Sequence, residues 1–180
     1  METKIFDNKE IKIREISKKD LKNAKKFQDF INSLVEEDAM VKLNKKQDLR
    51  EKTEWLKDKL KQIKNKKEVA LIAESEDKIV GNTQIGLDWG RQEHIGDFGI
   101  AIRKGYRNIG LGAYLAEEII KLAKKKLEPK PKMIKLSAYA TNKPAIKFYE
   151  NLGFKEVARI PKQGKIKGEL VAEVIMLLEL

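Results

Sequence analysis

The stretch Arg107-Asn108-Ile109-Gly110-Leu111-Gly112-Ala113 lies between an apolar run, Ile95 to Ile102, and an amphipathic run that begins at Leu111. This order of strand, tight glycine turn and helix constrains the fold more than any other feature of the chain. Two glycines one residue apart let the backbone bend sharply and approach a ligand closely. The helix that follows offers unpaired N–H groups and the positive end of its dipole to an anion. A further strand-like run, Met133 to Ala138, follows that helix, and a crossover carrying a helix implies that the two strands run parallel.

The rest of the chain supplies elements that can dock on this unit. Ile11-Lys12-Ile13-Arg14 alternates as a half-buried strand does. Ser17 and Asp20 then signal a helix start, and Leu21, Ala24, Phe27, Phe30, Ile31 and Leu34 recur at helical spacing up to the acidic trio Glu36-Glu37-Asp38. A second helix is expected from about Lys45 to Asn65. Val69 to Ala73 and Ile79 to Asp88 read as a hairpin turning over Glu74 to Lys78, and Gly90 to Glu93 as the turn into the strand Ile95 to Ile102. Leu111, Leu115, Ile119, Leu122 and Ala123 share one helix face. After the parallel strand, Lys143 to Asn151 gives a short helix, and Gly153 stands where a helix end calls for a left-handed residue. Two closing strands, about Lys155 to Ile160 and Leu170 to Leu178, flank a polar loop holding Gly164 and Gly168. The expected fold is therefore α+β: a mixed, mainly antiparallel sheet of about six to seven strands, with helices on both faces and one parallel pair. A length of 180 residues suits a single domain over 1–180.

Composition narrows the partners. Lys and Arg number 39 against 28 Asp and Glu, a net charge of +11, which favours anionic ligands. The basic residues are 33 Lys and 6 Arg spread along the chain, so no basic block or recognition helix points to nucleic acid. With no cysteine there is no thiolate nucleophile, thiolate metal site or disulfide, and no metal is expected. No apolar run approaches the ~20 residues of a membrane span. A cytoplasmic protein without a membrane partner is the expectation.

Three phosphate-binding patterns compete for the glycine stretch. Gly105 and Gly110 have P-loop spacing, but Leu111-Gly112 stand where the phosphate-binding Lys and the magnesium-binding Ser or Thr belong. A dinucleotide fingerprint needs a third glycine at the place of Leu115 and an early position in the chain. What remains is Arg107-x-x-Gly110-x-Gly112. A second segment, Asn142-x-x-Ala145-x-x-x-Tyr149-x-x-x-Gly153-Phe154, follows at the expected distance. With both in order, the chain resembles the GNAT N-acetyltransferase superfamily, well from Val69 to Leu178 and by strand-helix-helix layout before that. The tail Gly168 to Met176 is similar to that of ribosomal-protein and spermidine N-acetyltransferases.

The resemblance implies acetyl-CoA as co-substrate. It places the pyrophosphate on backbone amides of Ile109, Gly110, Leu111, Gly112 and Ala113 beside Arg107 and Asn108, and the pantetheine arm along Ile100, Ala101 and Ile102. Asn142, Ala145 and Tyr149 carry over as coenzyme-site residues, with Tyr149 as the general acid that protonates the leaving thiolate. Asn142 also reads as a helix N-cap and Tyr149 as a core aromatic. In some members a glutamate stands five residues before the motif asparagine; here that residue is Ser137, no useful base alone. Asp97 and Glu93 are the candidate bases, and the lone His94 reads as a turn residue. Glu36, Glu37 and Asp38 are candidates to attract a cationic acceptor. The acceptor is expected to be a protein or peptide amine, because a polycation meets net repulsion from a +11 chain. A polyamine or other small amine is the alternative. A non-catalytic acyl-CoA-binding regulator and a basic nucleic-acid-binding module are the alternatives of another class. A homodimer fits the resemblance, though no segment is a signature for one.

Overall fold

The computed structural model describes residues 2–180. A hairpin of β1 (Glu2–Phe6) and β2 (Lys9–Glu15) leads through a short 3-10 helix (Lys18–Asn23) into α1 (Ala24–Glu36) and α2 (Leu49–Lys64). Then come β3 (Glu68–Ser75), β4 (Lys78–Leu87), β5 (Ile95–Ile102), α3 (Leu111–Lys126), β6 (Met133–Tyr139), α4 (Lys143–Asn151), β7 (Lys155–Ile166) and β8 (Glu169–Glu179). The strands form one sheet in the order β1-β2-β3-β4-β5-β6-β8-β7. Neighbours are antiparallel except β5 and β6, which run parallel as the α3 crossover requires.

The sheet is covered on both faces, and β3 shows why its sequence is apolar throughout instead of alternating. Val69, Leu71 and Ala73 pack with Leu111, Leu115, Ile119 and Ala123 of α3. The intervening Ala70 and Ile72 pack with Phe27, Phe30 and Leu34 of α1 and Leu56 of α2. A strand buried on both sides has no polar face to present. Gly81 of β4 lets α3 lie close: a Cβ there would stand 3.1 Å from Leu115 Cδ1 and 3.0 Å from Ile102 Cδ1.

The parallel pair is short. β5 and β6 are in register only at Ile95↔Met133, Gly96↔Ile134 and Asp97↔Lys135. Beyond those pairs β5 stays on β4 up to Ile102, and β6 stays on β8 up to Tyr139. The sheet thus divides into two arms with a wedge between them. Asp97 and Lys135 stand at its apex.

Several expectations need correction. The sheet has eight strands among the described residues, because β1 precedes the first expected strand and pairs with it through an Asp7-Asn8 turn with both φ positive. The second helix starts at Leu49 instead of Lys45: the Asp48 carboxylate accepts from Glu51 N at 2.7 Å while Glu51 accepts from Asp48 N at 2.9 Å, a reciprocal cap that fixes the start. The loop expected around Gly164 is strand. β7 continues to Ile166 through a register shift between Ile160 and Gly164. Gly164 is there because a Cβ would lie 2.3 Å from the Tyr139 ring. The turn itself is Lys167-Gly168, with φ of 50° and 89°. No helix among the described residues is long and apolar enough to cross a membrane.

Candidate active site

The end of β5 turns into a cradle of unpaired backbone donors. Arg103 fastens the turn to β4, with its N–H donating to Val80 O at 2.8 Å and its Nε to Ile79 O at 3.2 Å. Arg107 Nε reaches back to Ile102 O at 2.8 Å. Gly105, Asn108 and Gly110 have φ of 86°, 61° and 86°, and Gly110 is the N-cap of α3. From Arg107 to Ala113 no backbone N–H has an acceptor among the described residues; Tyr114, donating to Gly110 O at 3.1 Å, is the first that does. Successive free N–H groups at a helix N-terminus suit a diphosphate. Nothing lies within 4 Å of a Cβ placed on Gly105, so one side of the cradle is open.

The two motifs meet in space. A Cβ on Gly112, in the first turn of α3, would contact the Phe148 ring of α4 at 3.8 Å, so the helix start that carries the cradle packs on the helix that carries Tyr149. Asn142 caps α4, its Oδ1 accepting from Ala145 N at 3.3 Å, and Ala145 packs against the core. Tyr149 is 9% exposed, with ring centroids 6.1 Å from Phe98, 5.2 Å from Phe148 and 6.1 Å from Phe154. Phe98 is the first residue of β5 beyond the last pair with β6. Burial pushes the Tyr149 phenol up to about 12, which keeps it protonated and able to donate at neutral pH.

Asp97 opens onto the other face. Together with Lys42, Leu87, Asp88, Lys135, Leu136, Ser137, Glu173 and Ile175 it lines a cleft of about 510 Å³. Asp88 is paired with Lys135 at 3.0 Å and Glu173 with Lys42 at 3.6 Å, whereas Asp97 has no ion-pair partner within 4.0 Å among the described residues. It is exposed toward the cleft, whose walls take away part of its solvent. That loss of solvent raises its carboxyl above the ordinary range, opposed by Lys135 and Lys42 and reinforced by Asp88 and Glu173. The candidate acid and base therefore flank the apex from opposite faces of the sheet.

The other candidates lie elsewhere. Glu93 is exposed in the turn before β5, 4.0 Å from Lys67, and does not line the cleft; the chain enters β5 at Ile95, and the wedge opens in the opposite direction. His94 sits beside it, its carbonyl accepting from Lys132 N at 2.8 Å. The acidic trio does not converge on one point. Glu36 pairs with Lys46 at 2.7 Å, Asp38 lies 3.8 Å from Lys167, and Glu37 pairs with Arg107, tying the end of α1 to the cradle. Sequence reasoning missed Lys42, Lys135 and Glu173, which only the sheet register brings beside Asp97. A depression of about 390 Å³ over β2 and β3 holds the pairs of Arg14 with Asp20 and Glu74 and of Lys26 with Asp77, which fasten the N-terminal helices, beside Glu10, Lys12 and Glu76.

This geometry has relatives. Residues 31–154 match the acetyltransferase (GNAT) family, and the chain belongs to that family. It is 30% identical over 102 residues to the L-amino acid N-acetyltransferase AaaT of Escherichia coli K12, a match covering 56% of this chain and 62% of that protein. An acetyltransferase of the GNAT family from Streptococcus pneumoniae superposes with a TM-score of 0.81 at 26% identity, over 94% of this chain and 99% of that one. YncA from Salmonella typhimurium, solved with its cofactor acetyl-CoA, shares the fold with a TM-score of 0.77 at 19% identity, over 94% of each chain.

Proposed function

We propose that this chain transfers an acetyl group from acetyl-CoA to the nitrogen of a primary amine by direct attack in a ternary complex. One observation carries the reading: the strands part immediately after Asp97↔Lys135, leaving an unpaired carboxylate at the apex, a cradle of free N–H groups at the end of one arm and a protonated phenol behind the first unpaired residue. Acetyl-CoA supplies the thioester. Residues Arg107 to Ala113 hold its pyrophosphate, and residues 98–102 lie along the arm. Asp97 takes the proton of the attacking amine, directly or through a water. Tyr149 returns a proton to the departing thiolate.

The acceptor that fits best is an α-amine. A raised carboxylate is a modest base, and an α-amine near ~8 is easier to deprotonate than a lysine-like amine near ~10.4 by roughly 3.4 kcal/mol. The cleft is of small-molecule size and carries three carboxylates against two ammonium groups, a local excess of negative charge on a basic protein. The first residue of a peptide suits it by charge and basicity alike; a free amino acid, in keeping with the name of the Escherichia coli relative, has a more basic amine and would set its carboxylate against Lys42 or Lys135. The whole chain acts as a single catalytic domain in this reading. A thermal-shift titration tests the donor half: acetyl-CoA stabilises the protein by RT ln(1+[L]/Kd). Stabilisation by nucleic acid in place of acetyl-CoA contradicts it.

A further inference from the structure

The acceptor cleft already contains a primary amine, and it belongs to the protein. Lys42 extends from the loop between α1 and α2 into the cleft lined by Asp97 and Ser137, and its Nζ lies 3.6 Å from Glu173 of β8. The Lys42 side chain is 78% exposed and Glu173 only 18%, so the carboxylate is the fixed member of the pair and the ammonium the movable one. The loop gives it freedom. Val41 donates to Ala39 O at 2.7 Å and Gln47 N to Asn32 Oδ1 at 2.8 Å, but between these anchors residues 42–46 make no backbone hydrogen bond. An exposed ion pair of this kind is too weak to keep Lys42 on Glu173.

We propose that Lys42 is itself an acetyl acceptor, modified by the protein's own active site. This rests on the acetyltransferase reading above. In the step, the Lys42 ammonium leaves Glu173 and gives a proton to Asp97. The neutral Nζ then attacks the thioester carbonyl of acetyl-CoA. The N–C bond forms, the C–S bond breaks, the nitrogen gives its second proton to water, and the thiolate takes a proton from Tyr149 to leave as free CoA, the phenol being restored from solvent. A lysine-type amine is harder to deprotonate than an α-amine by about 2.5 pKa units, a roughly 300-fold handicap. Tethering beside the cleft works against this handicap, since the amine stays near the thioester without a separate binding step. Acetylation also removes the cation from Glu173 and leaves the cleft more negative, so the modified protein attracts a cationic acceptor more strongly.

The test is peptide mass spectrometry of the full chain after incubation with isotope-labelled acetyl-CoA, with CoA release to an added amine followed in parallel. Lys46 on the same loop, exposed and paired with Glu36 outside the cleft, reports uncatalysed acetylation. Lys42 is expected to be labelled at least about tenfold faster than Lys46. The rate should be unchanged on dilution and should fall in Asp97→Asn while Lys46 labelling does not. Labelling of Lys42 no faster than Lys46, equal labelling in Asp97→Asn, or a rate falling in proportion to dilution overturns the proposal. If added amines are acetylated while Lys42 is not, this inference alone fails; if neither is acetylated, the functional reading fails with it.

Discussion

The two sides of the wedge are built by different means. On the proposed donor side the backbone presents the binding groups: free N–H groups from Arg107 to Ala113, held by positive φ at Gly105, Asn108 and Gly110 and by Arg107 and Arg103 reaching back to strand carbonyls. On the proposed acceptor side the groups are charged side chains. Asp97, Lys135 and Glu173 come from separate strands, Asp88 from the end of β4, and Lys42 from a loop. A backbone cradle depends on local conformation and survives most changes of side chain. A side-chain cleft can be retuned one residue at a time. The donor should therefore be the fixed half of the chemistry and the acceptor the variable half.

This contrast can be broken by substitution. Asp97→Asn is expected to lower kcat by about 10²- to 10⁴-fold, the usual range for a lost general base, while acetyl-CoA affinity measured by calorimetry stays the same. A parallel loss of acetyl-CoA affinity would merge the two halves. Tyr149→Phe should cost about 10²-fold in kcat with little change in Tm, because its hydroxyl makes no hydrogen bond within the described residues. The pH profile sharpens the same pair. With the Asp97 carboxyl raised, kcat falls as pH drops through a range above that of an ordinary aspartate, and this acid limb disappears in Asp97→Asn. With the Tyr149 phenol at about 12, no alkaline limb from it enters the working range.

Smaller effects are expected where the halves are only supported. Gly110→Ala places a Cβ at φ 86°, a cost of about 1–2 kcal/mol in stability, and should weaken acetyl-CoA binding about tenfold without changing amine selectivity. Calorimetry of the variant measures both. Glu36→Ala and Asp38→Ala remove exposed ion pairs away from the cleft, so stability should stay within about 0.5 kcal/mol and amine KM should not move. A raised KM in either variant would return the acidic trio to the acceptor site.

The same contrast explains what the sequence disclosed. Residues of the donor site are contiguous or lie on one short helix, so Arg107-x-x-Gly110-x-Gly112 and the segment from Asn142 to Phe154 can be read in a line, and Gly153 has the positive φ expected of it. Strand β5 and helix α4 stand where their periodicity put them. Strand β1 escaped notice because its Glu2-Thr3-Lys4 start has no apolar face and only an Asp7-Asn8 turn marks the hairpin. The acceptor cleft was illegible for another reason. Glu173 reaches Lys42 across an interval of chain that only strand pairing closes, and the splitting of β5 from β6 is a property of register, which no single segment encodes. Glu93 and Asp97 look alike in sequence; four residues of chain separate a turn from an apex.

In the proposed reaction the wedge brings acetyl-CoA and an amine together for transfer. Release of CoA thiol from acetyl-CoA, followed against a panel of free amino acids, short peptides and polyamines, tests it most directly. Amine-dependent release is expected, fastest with an α-amine acceptor and lost in Asp97→Asn. Binding of acetyl-CoA with no amine-dependent thiol release from any member of the panel would contradict it.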